Sequence, residues 1–405
     1  MPHISNYALT AVSRLILITG QLAYVKVITH FLQLPEVGVY YLLVAASYFA
    51  NALVFVPFDY YQQSKINDVF GEQGTLWSYL RPNALLIGSF LLFAILAAAV
   101  AAFFSAVLPY WILVATFFAI GNYLPLALKG ALNILGHARK INSVQIFEGI
   151  FRPLTAVAVA YWVSKPSAIT LMCSGGIASI LVSSLLIWIM AKQGLWLPSS
   201  QPSISWKWAQ VRRTAFPISL SAITNWFQLQ AYRLVLVPLG FADAVGVYSV
   251  MANLGHAGMG AISGIYSQVN LPKIYLSRGT FLEKYLLGAL VLTLISATGA
   301  MILAPILVPL VTQARYTEFA EIVIFGVAIE GLGSIIGGLI VYFTIKSKTE
   351  IIAKSGFLAA ASSAFAMVLL YFANGINALT IGGVLIASQC LAVGSLYFVY
   401  IRSKR

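Results

Sequence analysis

Twelve stretches of about 20 predominantly apolar residues run along this chain, each long enough to cross the hydrocarbon core of a bilayer as a helix. They fall at 7–31, 38–58, 82–106, 111–135, 146–164, 167–191, 213–236, 244–266, 282–304, 319–344, 352–373 and 377–400. Inside lipid every backbone polar group must be satisfied within the protein, so such a series leads to an all-α, polytopic membrane protein of 12 transmembrane helices. Only 9% of the residues are charged, 60% are hydrophobic, and the mean hydropathy is +0.90. A soluble domain carries roughly a quarter of its residues as charges, so a soluble enzyme, a disordered chain and a nucleic-acid-binding module are poor readings.

The formal net charge of +13 follows the spans. With the N-terminus placed in the cytoplasm, Lys165 and Arg315 are the outer-loop bases, and Arg14, Lys26, Lys129, Arg152 and Arg233 lie within spans. The remaining Lys and Arg residues fall in inner connections and the C-terminal tail. This bias sets both termini in the cytoplasm and gives no reason to expect a nucleic-acid partner. No basic residue precedes the first apolar run and no small-residue cleavage site follows it, so the first span is expected to stay as an anchor.

Catalytic constellations are not expected. Cys173 and Cys390 lie inside apolar runs, and His3, His30, His137 and His256 are scattered, so neither disulfide nor metal site nor cofactor is implied. No Walker-type glycine loop precedes a Lys-Ser/Thr pair. Short outer loops leave no room for an extracytoplasmic enzyme domain.

The chain reads as two related halves: a six-helix lobe over 1–191, a cytoplasmic linker over 192–212 and a second six-helix lobe over 213–405. Val37-Gly38-Val39-Tyr40 recurs 208 residues later as Val245-Gly246-Val247-Tyr248, and the same offset pairs Lys65 with Lys273, Gly130 with Gly338 and Lys140 with Lys348. The Val-Gly-Val-Tyr copies read as tight outer turns. Six spans per half give a parallel repeat, the arrangement in which substrate sites lie in a central cavity between halves.

Embedded polar residues gather on the spans that open each half. Thr10, Arg14 and Gln21 share one face of the first span, with Lys26 on another. Asn51 lies on the second span. The seventh carries Ser221, Asn225, Gln228 and Tyr232 as one stripe, with Arg233 beside it, and Asn253 and His256 follow on the eighth. Glu148 and Arg152 stand four apart on the fifth span, as a neutralising intrahelical pair or, with Glu330 on the tenth, as coupling or gating groups. Guanidinium forks suit phosphate oxygens, and amides and hydroxyls suit sugars. An anionic, hydroxyl-rich ligand is therefore expected at Arg14, Gln21, Lys26, Asn51, Asn225, Gln228, Arg233, Asn253 and His256. Beside this stands a plainer reading, in which the bases snorkel to headgroups and the amide stripe holds helices together.

The turn Leu34-Pro-Glu-Val-Gly-Val-Tyr40, its counterpart Leu239 to Tyr248, and the segment 303–320 running into Tyr316-Thr317-Glu318-Phe319-Ala320 resemble the polysaccharide and O-antigen flippases. These belong to the multidrug/oligosaccharidyl-lipid/polysaccharide exporter superfamily. The resemblance implies two six-helix lobes around a V-shaped cavity that opens alternately to either side of a bacterial inner (plasma) membrane. It also implies an undecaprenyl-pyrophosphate-linked oligosaccharide as cargo, membrane lipids as surroundings and polysaccharide assembly proteins as associates. A multidrug/cation antiporter of the same superfamily is the alternative. It would need an embedded acid in the first half, and the first span has none. A membrane glycosyl polymerase would need a long basic outer loop. A major-facilitator sugar porter would need its glycine-, Asp- and Arg-bearing loop after the second span, where Asp59-Tyr60-Tyr61-Gln62-Gln63-Ser64-Lys65 stands instead.

Overall fold

The computed structural model describes residues 2–64, 76–192, 208–346 and 348–404, with side chains from residue 9 onward and not at 64, 76–78, 138, 208–218 or 349. Of the linker expected over 192–212, residues 193–207 lie outside them, while 208–212 already open a helix. Among the described residues the chain is helical, without strands, and a helix occupies each of the twelve expected spans. Nine helical stretches are long and apolar enough to cross a membrane. The other three, at 138–162, 208–236 and 242–276, are those that carry Glu148, Arg152, Gln228, Arg233 and His256. Large apolar side chains such as Phe93, Leu96, Leu294, Ile302 and Phe365 stay exposed, as bilayer-facing surfaces require.

By contacts the chain divides into two compact units. The first comprises residues 1–31 and 43–222, the second residues 32–42 and 223–405.

In the first unit the helices are α1 (Pro2–Phe31), the later part of α2 (Leu34–Ala50), α3 (Val56–Ser64), α4 (Leu76–Ala101), α5 (Leu108–Ile134), α6 (Ala138–Trp162) and α7 (Ala168–Met190). Helix α1 lies along α6, and α7 packs on both α5 and α6. The α1–α6 crossing is set by Gly20 and Gly149, because a Cβ on Gly20 would run into the Gly149 carbonyl. Small residues at such crossings let membrane helices approach closely enough for dispersion to hold them. Between α2 and α3 the ladder opens into a π-helical turn, Asn51–Phe55, and the Val56 amide reaches back to the Asn51 carbonyl. Pro57 accounts for the opening: it offers no N–H, and its ring would strike the carbonyl four residues earlier.

The second unit contains the start of α2, then α8 (Trp208–Leu229, from residue 223 onward), α9 (Ala231–Leu236), α10 (Ala242–Leu276), α11 (Leu282–Val311), a 3₁₀ segment (Ala314–Ile322), α12 (Val323–Ile345), α13 (Thr349–Phe372) and α14 (Ala378–Lys404). Helices α10 and α12 form its closest pair, and Tyr285, Leu339, Phe343, Leu396 and Tyr400 centre its core. The seventh expected span is broken at Gln230, whose backbone (φ −131°, ψ −29°) leaves the helical region before the chain resumes as α9.

The Val-Gly-Val-Tyr copies are not turns. Both are helical, on α2 and α10, and they meet at their glycines: a Cβ on Gly246 would lie 2.9 Å from the Gly38 nitrogen. Tyr40 and Tyr248 are buried rather than interfacial. An apolar period cannot distinguish a short turn from the first turn of a helix, which explains the error.

Candidate functional site

Within the first unit the α1–α6 crossing carries a ladder of small polar groups. The Asn142 amide donates to the Thr10 hydroxyl at 2.9 Å, and the Ser13 hydroxyl donates to the carbonyl oxygens of Asn142 and Gln145, each at 3.3 Å. Arg14 stands beside this ladder, half-buried, with no carboxylate at ion-pair distance among the described residues. Gln21 is exposed and Lys26 half-buried. The Asn51 amide donates to the Ser47 carbonyl at 3.1 Å, so part of its hydrogen-bonding capacity is spent on its own helix.

Glu148 and Arg152 are not partners. The Lys129 ammonium on α5 takes Glu148 at 2.8 Å, while Arg152 donates to the Asn122 carbonyl oxygen at 3.0 Å and lies over the rings of Tyr24 and Phe118. The Ser179 hydroxyl donates to the same Asn122 oxygen at 3.3 Å. Spacing along α6 allowed the intrahelical pair, but neighbouring helices offered each group a partner, and tertiary contacts override (i, i+4) proximity worth only a few tenths of a kcal/mol.

Asp59 is the residue that sequence reasoning missed, because it follows the expected second span (38–58) in what reads as a loop. It lies instead on α3, inside the apolar stretch Leu34–Gln63, and is 6% exposed. The Gln63 amide donates to Oδ2 at 2.8 Å, whereas Oδ1 is buried with no hydrogen-bond partner among the described residues. Nearby, Asn83 donates to the Gln62 carbonyl oxygen and to the Tyr79 backbone carbonyl, each at 2.8 Å, and accepts from the Tyr123 hydroxyl. Two signals were available in the sequence: an Asp and a Gln four apart, and a proline that cannot end a membrane helix when polar side chains re-satisfy its neighbours.

In the second unit the expected stripe does not survive the break at Gln230. Asn225 is exposed, but Gln228 is 3% exposed and turned into packing, donating to the Ser388 hydroxyl at 3.1 Å. Its backbone carbonyl accepts from Ser363, also at 3.1 Å. Arg233 is 6% exposed. Its Nε donates to the Tyr232 hydroxyl at 3.0 Å, and the guanidinium lies 5.5 Å from the Tyr41 ring centre and 5.4 Å from that of Tyr232. Among the described residues no carboxylate reaches it. Two tyrosine faces thus hold a buried cation, each contributing about 0.5–2 kcal/mol. Asn253 is half-buried on α10. The structure brings His256 and Glu330 together at 3.3 Å, with the Ser263 hydroxyl 3.5 Å from the other carboxylate oxygen.

Among the described residues no cluster of His, Cys, Asp and Glu could hold a metal ion. Of the groups present, bases without acids can bind anions, and the two acids at Asp59 and Glu330 can exchange protons.

No protein-family model matches the chain, and no curated protein matches it by sequence. Solved structures do match, and they place the chain in a fold class of multi-pass helical membrane proteins. More particularly, the fold is that of a lipid II flippase, MurJ, in an inward closed conformation: TM-score 0.71 at 14% identity, over 98% of this chain and 87% of that one. Multidrug resistance MATE family transporters of the MOP superfamily share it. An outward-facing one gives a TM-score of 0.60 at 12% identity, over 98% of this chain and 95% of the other. A MOP superfamily transporter from Pyrococcus furiosus, described as having a binding pocket of reversed polarity, gives 0.56 at 11% identity over 97% and 95%. The fold implied by the sequence resemblance is therefore the fold this chain has.

Proposed function

We propose that the chain is a flippase that moves an undecaprenyl-pyrophosphate-linked oligosaccharide from the inner to the outer leaflet of a bacterial plasma membrane by alternating access. The product serves surface polysaccharide assembly (O-antigen, capsule or exopolysaccharide). The observation that carries this reading is Arg233, a buried guanidinium held by tyrosine rings and free of any described carboxylate. A cation kept desolvated without an internal counter-ion gains most from an anionic ligand. Arg14, with no described carboxylate at ion-pair distance, adds a second base, and half-buried Lys26 adds a further positive charge. Asn225, Asn253 and Gln21, with their exposed or half-buried amides, would serve the glycan, while Gln228 acts through packing. His256 with Glu330 is the candidate coupling pair of the second unit, and Glu148 and Arg152 brace the first. Likeness to a lipid II flippase supports a diphosphate lipid as cargo.

Deletion of the gene should leave lipid-linked repeat units on the inner leaflet, identified by mass spectrometry of extracted glycolipids. Complementation by Arg233→Ala protein that inserts normally should fail. Restored surface polysaccharide with both Arg14→Ala and Arg233→Ala would sink the assignment.

Asp59 favours a second reading. A cation antiporter of the same superfamily needs an embedded acid in the first half; Glu148 there is paired with Lys129, whereas Asp59 has no described base at ion-pair distance. Likeness to MATE transporters supports it. Efflux of lipophilic cations from everted vesicles, abolished by Asp59→Asn and indifferent to Arg233→Ala, would choose it over the flippase.

A further inference from the structure

The first unit contains an acid, one of whose oxygens is buried without a donor among the described residues. Around Asp59 the donors are already committed. Asn83 gives both its amide hydrogens to Gln62 and to the Tyr79 carbonyl, and the Tyr79 hydroxyl donates to the Ala127 carbonyl at 3.1 Å. The Tyr123 hydroxyl donates to Asn83, and Gln62 donates to the Tyr79 carbonyl at 3.4 Å. The titratable groups within electrostatic reach are the phenols of Tyr79 on α4 and Tyr123 on α5. Lys129, also on α5, is engaged by Glu148. No described base stands at ion-pair distance from Asp59. An ionised carboxylate here would leave a charged, dry oxygen with no counter-ion, a cost far above that of one unsatisfied neutral group. A proton on Oδ1 removes that charge.

A second observation sits one turn away. The π-helical turn Asn51–Phe55 ends in Phe55, which is fully buried and stacked on Tyr123 at 4.4 Å. Turns of this kind are weak points in a helix and concentrate at functional sites. Asp59 follows four residues later, about 6 Å along the axis. Oδ1 is buried in this conformation, and a shift of α3 at the π turn is a movement that would admit water to it.

We propose that Asp59 is a proton-binding site. An O–H bond at Oδ1 keeps the acid neutral in this conformation; loss of that proton to water leaves a carboxylate that must be hydrated, which opens the π turn. The site works in the same way whichever cargo the protein carries.

Infrared difference spectroscopy of the full-length purified chain tests this, with isotope-labelled aspartate as the probe. Asp68 and Asp243 are the other aspartates in the sequence, and Asp243 is exposed. At neutral pH the carbonyl band of a protonated acid should be present, shift with the label, and be lost in Asp59→Asn. Hydrogen exchange over residues 51–64 should rise with pH in the wild type and stay flat in Asp59→Asn. Should that variant fail to fold, Asp59→Glu should move the acid band from the aspartate label to a glutamate label. A labelled band that reports only ionised carboxylate at neutral pH overturns the proposal. So does an acid band that survives Asp59→Asn, or a carboxylate band that responds to sodium rather than to pH.

Discussion

The two units conceal opposite charges. Among the described residues, the first hides a carboxylate, Asp59, with no cation beside it, and the second hides a guanidinium, Arg233, with no carboxylate beside it. Elsewhere in the first unit Lys129 is cancelled by Glu148 and Arg152 is laid on an amide and two rings, while Arg14 has no described carboxylate at ion-pair distance. The difference teaches what each half is suited to. An isolated embedded acid can become neutral by taking a proton, whereas an embedded guanidinium cannot lose one, so it must be soothed by π faces or met by an anion.

Breaking the cancelled pair should have the largest effect. Lys129→Ala leaves Glu148 uncompensated in a mostly buried position and is expected to cost about 3 kcal/mol, read as a lowered unfolding temperature in detergent. The double variant Lys129→Ala with Glu148→Ala should recover much of that loss; strict additivity would show that the two groups do not interact. Arg233→Met keeps the bulk but removes the charge. Its stability cost should stay within about 1–2 kcal/mol, while lipid-linked glycan accumulates as in the deletion strain. Asp59→Asn, isosteric with the neutral acid, should change stability by less than about 1 kcal/mol, read as a nearly unchanged unfolding temperature in detergent. Smallest is His137, on the connection before α6, where burial and the nearby Lys140 hold its pKa below the ordinary histidine value. The fold then favours the neutral ring, so stability is intact above that ordinary value and declines slightly as pH falls. His137→Gln should flatten the acid side of the unfolding profile.

Much of the fold was legible because lipid imposes a rule that sequence shows directly: a long apolar run must be a helix. All twelve spans were placed that way, to within several residues at their ends. Side-chain partners were less legible. Glu148 and Arg152 have ideal spacing for each other, yet α5 supplied Lys129 and Asn122, and no one-dimensional pattern names the neighbouring helix. The stripe from Ser221 to Tyr232 assumed an unbroken helix, and Gln230 breaks it. Of the expected ligand set, the embedded bases were legible as costly charges, and His256 and Glu330 did come together, but Asp59 was hidden by its polar neighbours Gln62, Gln63 and Ser64.

That concealment traces to the widened turn at Asn51–Phe55. One surplus residue in a turn advances everything after it by about 100° around the axis, as a slipped tooth sets a gear train out of phase. Counting by fours from Ser47 and Asn51 therefore points α3 in the wrong direction. Deleting a single residue from that turn would swing the Asp59 carboxyl away from Tyr123 and Asn83 without altering any residue it touches.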